Sequence, residues 1–190
     1  QGRLSVIDLS ETTNLFKKQV IVTHFARRLF NARRRDEIPP FLLVVEESHQ
    51  FAPEKMKEEH AISKSVITLI AREGRKFNAS LCLISQRPIQ LSTTALSQCN
   101  THFILRVTNP YDLEHIGKSS EGINQAVLKQ ISSLPVGSGL IVGEAVNFPL
   151  FVRIRNRKSK PSSRGLPMEK AAVEYYRKIK QNQKDAKEFM

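Results

Sequence analysis

The stretch Phe41-Leu42-Leu43-Val44-Val45-Glu46-Glu47-Ser48-His49 decides the fold. Five apolar residues run without a break into two adjacent carboxylates. A short apolar run without alternation predicts a strand buried on both faces, the pattern of a parallel sheet covered by helices. Two ionised carboxylates at the end of such a strand are costly unless a cation or hydrogen-bond donors meet them. In nucleotide-hydrolysing α/β proteins this position holds one acid for Mg²⁺ and one that orients water. The other reading is a strand that surfaces into solvated charge.

Working outward, Arg3 to Ser10 reads as a short strand ending in a polar turn. Asn14 to Arg35 reads as a helix with Val20, His24, Phe25 and Leu29 on its apolar stripe and arginines crowding its C-terminal end, where cations oppose the helix dipole. Pro39-Pro40 stops it and feeds the strand at Phe41. Pro53 breaks the chain after the acids. Glu54 to Lys76 reads as helical, in one or two pieces, with Ile62, Val66, Leu69 and Ile70 as its stripe. Ala79 to Ser85 is a third strand and Thr101 to Val107 a fourth. Ser119 to Leu134 contains a helix. Ser138 to Glu144 and Leu150 to Arg155 form an antiparallel pair. Residues 158–167 read as a linker, and Met168 to about Lys187 as a polar helix with a thin stripe of Ala172, Tyr175, Tyr176 and Ile179. Strands alternating with helices predict an α/β fold with a mostly parallel sheet.

The 190 residues suffice for one domain plus a tail, and a hydrophobic share of 40% supports a real core. Two cysteines argue against a disulfide scaffold, and Cys82, inside an apolar run, reads as a buried thiol. No apolar stretch approaches the ~20 residues of a membrane-spanning helix, so the expectation is a cytoplasmic protein without membrane contact. The net charge of +12, from 30 Lys and Arg against 18 Asp and Glu, points to a polyanionic partner. Half of that excess lies in residues 157–190, which hold ten basic residues and four acids.

A nucleotide-hydrolysing domain of this kind needs a phosphate cradle of the form G-x-x-x-x-G-K-[ST]. None occurs. Gly117-Lys118-Ser119 is the nearest imitation, but Asp112 stands where the first glycine would be, and the segment reads as a loop. The simplest reconciliation is the C-terminal part of a longer protein whose phosphate loop lies upstream.

Three segments taken together, Phe41 to Pro53, Arg72 to Asn78 and Ser85 to Pro88, resemble the HerA family of hexameric, ATP-driven archaeal DNA translocases, relatives of the FtsK-type DNA pumps. "VVEESHQFAP" is similar to the family's Walker B segment, and "AREGRKFNASLCLISQRP" to its next helix and strand, ending in a polar sensor. "LSQCNTHFILRVTNPYDLEHI" and "LPVGSGLIVG" look like the family too. The resemblance covers roughly residues 1–156, read as the C-terminal part of a RecA-like motor domain. Residues 157–190 form a basic linker plus C-terminal helix outside it.

The resemblance implies a role for each matching residue. Glu46 helps to hold Mg²⁺, through water, although many relatives carry Asp there. Glu47 polarises the attacking water. Gln86 senses the γ-phosphate of ATP. Arg72 reaches into a neighbouring subunit as an arginine finger, with Arg75 the alternative. The implied partners are double-stranded DNA, further copies in a homo-hexamer, and the NurA nuclease of DNA end resection, the last contact lying on an N-terminal part. DNA is expected on two loops, Pro53 to Glu59 with Lys55 and Lys57, and Arg87 to Thr94. The fragment alone is expected to be inactive as an ATPase.

Two readings from other classes compete. One is a non-catalytic basic DNA-binding or assembly module. The other is a metal-dependent nuclease using Glu46 and Glu47, for which Asp8 is the only attractive further acid. His49 follows the acids but reads as a structural hydrogen-bonding residue. The remaining histidines are scattered without zinc-ligand spacing, Ser48 and Ser85 lie in no G-x-S-x-G elbow, and Phe and Tyr show no ribonucleoprotein-type motif that would support a stacking platform for single strands.

Overall fold

The computed structural model describes residues 2–55, 61–119, 122–159 and 167–188. Two compact units divide between Ile154 and Arg155.

The first unit opens with α1, Leu15–Arg34. Asn14 caps it, its side chain accepting the Lys17 N–H and so satisfying one of the unpaired donors at the helix start. The buried stripe is Gln19, Ala26 and Phe30, not the predicted Val20, His24 and Phe25; Val20 and Phe25 are both more than 40% exposed. Both sets obey helical spacing, and what turned the helix is the neighbour it packs on: Phe30 meets Phe77 edge to face.

Two of the arginines at the end of α1 are structural. Arg33 donates to the carbonyls of Phe77 (2.7 Å) and Ile38 (2.8 Å) and pairs with Asp36 (2.9 Å). Arg34 lies over the rings of Phe30 and Phe77. The basic end of the helix therefore ties the turn at Asp36, whose φ is 56°, to the segment that enters β2.

Strands β1, Phe41–Val45, and β2, Ala79–Leu83, pair in parallel, with Phe41 opposite Ala79 and Val45 opposite Leu83. The crossover contains α2, Lys64–Glu73, and a 3-10 turn, Gly74–Phe77. Val66, Ile67 and Ile70 of α2 are buried with Ala26, Phe30, Val45, Phe51 and Leu91 in one core. Burial of β1 is one-sided, however. Leu42 and Val44 are 59% and 49% exposed, because among the described residues no layer covers that face of the two-stranded sheet. Arg3 to Ser10 forms no strand either; it has no ladder partner there, Leu4 and Val6 are exposed, and only Leu9 packs against the core.

The second sheet, in order β3–β4–β5, is antiparallel: Thr101–Leu105, Ser138–Gly143 and Leu150–Arg153. The predicted pairing of the last two strands is present. Ile104, Leu140 and Val142 build a separate core with Ile116 of α4, Pro110–Ser119, and Ile131 of α5, Gln125–Ser132. Helix α4 overturns the loop reading of Gly117-Lys118-Ser119, which is its last turn. Asn109-Pro110 followed by Asp112 is a helix-start signature that the sequence did carry. A short helix, α3, Thr93–Ser97, precedes β3. Cys82 and Cys99 are free thiols, both half-buried, and burial with the nearby Cys82 pushes Cys99 up.

The second unit carries α6, Met168–Glu188, with Tyr175 and Tyr176 exposed. No helix among the described residues is long and apolar enough to cross a membrane.

Gly74 sits where α2 hands over to β2. A Cβ there would overlap the carbonyl oxygen of Ala79. Gly74→Ala should therefore destabilise the unit by about 1–3 kcal/mol, the usual penalty for overpacking. Thermal or denaturant unfolding measures it, and an unchanged midpoint would contradict the close approach.

Candidate functional site

Parallel pairing places the C-terminal ends of β1 and β2 side by side, and the site is built there. Past Val45 the two chains stay joined: Ile84 N–H donates to the Val45 carbonyl (3.0 Å), and the backbone N–H and hydroxyl of fully buried Ser48 both donate to the Ile84 carbonyl (2.9 and 3.0 Å). Between these ties Glu47 takes the left-handed conformation, φ 49° and ψ 43°. Few non-glycine residues adopt it, and such strain persists only where the surroundings impose it, often at functional sites.

The bend aims the Glu47 carboxylate at the end of the neighbouring strand. Gln86 Nε2 donates to its Oε1 at 2.9 Å, and His49 Nδ1 lies 3.4 Å from its Oε2. Glu46 is exposed and has no hydrogen-bond or ion-pair partner among the described residues. The structure thus joins Glu47 to Gln86 and adds His49; Glu46 adjoins Glu47 in the chain and shares none of these bonds.

Arg72 and Arg75 are not part of this cluster. Arg72 lies in the last turn of α2 and Arg75 in the following 3-10 turn, both before the first residue of β2, whereas Gln86 follows the last. The length of a five-residue strand, about 15 Å, separates the two edges of the sheet. Both arginines are exposed and unpaired among the described residues.

The described start of the first expected DNA loop, Pro53 to Lys55, is joined to the second. Pro53 bridges to Leu91, and Glu54 N–H donates to the Gln90 carbonyl (2.8 Å). The Glu54 carboxylate accepts both the backbone N–H and the hydroxyl of Thr93, each at 2.6 Å. Helix α4 grips the same loop. Buried Asp112 accepts the Ile89 N–H at 3.0 Å, and His115 Nε2 lies 3.2 Å from the Leu91 carbonyl. Lys55 and Arg87 are exposed on this assembly, while Lys57 lies outside the described residues. Sequence reasoning missed Glu54, Asp112 and His115, because nothing in their local pattern announces a partner so far along the chain. A surface cleft of about 430 Å³ along α1, lined by residues such as Val20, His24, Arg28 and Ile62, shares none of these groups.

The donor set suits a hard cation carried by a phosphate substrate. No group of three or more His, Cys, Asp or Glu converges among the described residues, so an all-protein metal cage is absent there. One free carboxylate beside a second, engaged one matches Mg²⁺, which keeps most of its waters and takes one or two carboxylates plus phosphate oxygens.

The chain shares its fold with solved structures. It matches the genome packaging NTPase B204 of Sulfolobus turreted icosahedral virus 2, in complex with AMPPCP, at TM-score 0.56 and 17% identity, over 71% of this chain and 63% of that one. VirB4 of Thermoanaerobacter pseudethanolicus matches at TM-score 0.61 and 18% identity, over 78% of this chain and 40% of that one. The fold class is therefore RecA-like α/β. No protein-family profile matches the chain. By sequence it is 31% identical to the DNA double-strand break repair helicase HerA of Saccharolobus solfataricus, over 100% of this chain and 38% of that protein. It is 42% identical to HerA of Pyrococcus furiosus, over 63% of this chain and 21% of that protein. By sequence the chain is a homologue of part of the HerA helicases, and it spans well under half the length of the relatives it matches.

Acid should loosen the Glu54 clamp. Desolvation raises the Glu54 pKa, but the Thr93 hydrogen bonds, Lys64 and His115 together outweigh it and leave the group below its ordinary 4.5. A carboxylate lowered on folding contributes stability above its unfolded pKa and loses it as pH falls through the folded value. The melting-temperature gap between the wild type and Glu54→Gln should be largest above about pH 5 and narrow on acidification. A gap that widens in acid would contradict the clamp.

Proposed function

We propose that this chain supplies the acid, sensor and trans-arginine elements of an ATP site in a HerA-type translocase acting on double-stranded DNA in end resection. The observation that carries this is the Glu47 carboxylate, bent out of β1 and hydrogen-bonded by Gln86 from the end of the parallel neighbour. Glu47 polarises the water that attacks the γ-phosphate, and Gln86, leaving the carboxylate when ATP is bound, contacts that phosphate. Glu46 would hold Mg²⁺ through water, and the cation would supply neutralisation of the negative charge on the phosphates. The phosphate cradle comes from outside these 190 residues, so the chain by itself does not turn over ATP.

Arg72, with Arg75 the alternative, acts on the next subunit. Its place at the opposite edge of the sheet from Glu47 supports a trans role, since one subunit does not bring both to the same phosphate. An arginine supplied in trans stabilises transition-state charge and links hydrolysis to subunit position. We further propose a homo-hexamer in the cytoplasm with no membrane contact, partnered by a NurA-type nuclease. Lys55, Lys57 and Arg87 contact duplex phosphates. Residues 157–190 brace subunits through Tyr175, Tyr176 and Ile179.

In the full-length protein, Glu47→Gln should retain ATP binding and lose ~10²–10⁴ in turnover, because the swap keeps shape and removes the charge that polarises water. Arg72→Ala should also be inactive. Rings mixed from the two should regain turnover, since some interfaces then pair an intact acid with an intact arginine. Normal turnover by Glu47→Gln removes it from the mechanism. No recovery at any mixing ratio, with exchange of subunits demonstrated, removes the trans assignment.

DNA binding is read from salt. Removing one phosphate-binding cation, by Lys55→Ala or Arg87→Ala, should lower the slope of log affinity against log salt by about 0.9 on duplex DNA. If truncation at Lys158 alone abolishes DNA stimulation while the ring stays intact, and the loop variants are normal, the tail is the DNA site.

A further inference from the structure

His49 does more than hold its own turn. The 3-10 turn Ser48–Gln50 is already fastened to the end of β2 by the two bonds from Ser48 to the Ile84 carbonyl and by Ile84 N–H to Val45. None of these involves the imidazole. The ring nevertheless lies in the site, with its side chain only 11% exposed. Its Nδ1 is 3.0 Å from Ser85 Oγ and 3.4 Å from Glu47 Oε2. Ser85 Oγ in turn accepts the backbone N–H of Arg87 at 3.0 Å.

The two carboxylate oxygens of Glu47 are thus addressed from different directions, Oε1 by Gln86 and Oε2 by His49. Once Gln86 turns to the γ-phosphate, as proposed above, His49 is the remaining neighbour of the carboxylate. The same nitrogen reaches, through one hydroxyl, the backbone of the loop that carries Arg87. A proton on Nδ1 is shared between Ser85 Oγ and Oε2. A proton on Nε2 instead leaves Nδ1 to accept from Ser85 and turns a lone pair toward the carboxylate.

We propose that His49 is a positioning residue for Glu47, and that Ser85 links this positioning to the Arg87 loop, so that contact at the loop sets the aim of the carboxylate. The proposal rests on reading Glu47 as the residue that polarises water.

The test uses the full-length protein, with ATP turnover measured without and with duplex DNA, in His49→Asn, His49→Gln, His49→Leu and Ser85→Ala. The amide nitrogen of Asn can occupy the place of Nδ1, and that of Gln the place of Nε2. His49→Asn should keep kcat within a few-fold. His49→Gln and His49→Leu should lose about 10- to 100-fold in kcat, the scale of misplacing a reacting group, with KM for ATP little changed. Ser85→Ala should keep basal turnover and lose most of the DNA stimulation. The Asn and Gln pair decides the matter even if His49→Leu does not fold. Equal kcat in His49→Asn and His49→Gln, whether both high or both low, overturns the proposal, as does full DNA stimulation in Ser85→Ala. Glu47→Gln separates the two levels. If it is inactive while His49→Gln is normal, only the positioning role fails. If Glu47→Gln is itself active, the reading beneath it fails.

Discussion

The continuation of parallel pairing beyond the strand ends is the constraint on which the site depends. Five residues of β1 and β2 align in register, and the Ile84 carbonyl, gripped twice by Ser48, keeps the two chains together after the ladder stops. Without that grip the turn after Val45 would have no reason to hold Glu47 in a left-handed conformation. With it, a carboxylate from one strand and an amide from the other meet at 2.9 Å. Burial of Ser48 is tolerable because its hydroxyl is satisfied; an unsatisfied polar group there would be expensive.

How much of this the sequence carried depends on the range of the interaction. The apolar run ending in Glu46-Glu47 and the second run ending at Ser85-Gln86 were legible, because strand identity and polar strand ends are local properties. The helix boundaries of α1 were legible from Asn14 and the basic C-terminal end. The face that α1 buries was not, since Val20-His24 and Gln19-Ala26-Phe30 satisfy the same spacing and only the position of Phe77 chooses between them. The exposed face of β1 was misjudged for a related reason: an apolar run records what a strand is suited to, not what covers it. The Asp112, His115 and Glu54 contacts are non-local and left no trace in spacing.

The basic surplus also separates into parts with different work to do. Arg33 and Arg34 are consumed in holding the end of α1 to Phe77 and Ile38. Arg72 and Arg75, unpaired among the described residues, stand on the far edge of the sheet. Lys55 and Arg87 stand exposed on a loop assembly held by Glu54, Asp112 and His115. Net charge alone cannot tell these apart; the distinction lies in which cations already have a partner. A phosphate-binding surface needs charge that is placed without being neutralised, and the clamps supply placement through the backbone, leaving the side chains available.

The left-handed backbone at Glu47 limits how this position can drift over evolutionary time. A β-branched or bulky residue is poorly tolerated at positive φ, whereas glycine and asparagine are at ease there. A single exchange to one of these two relieves the strain while removing the carboxylate on which the proposed role depends. Under the role proposed for Glu47, function and fold pull in opposite directions at this one residue: the chemistry asks for a carboxylate where the backbone favours a residue without one.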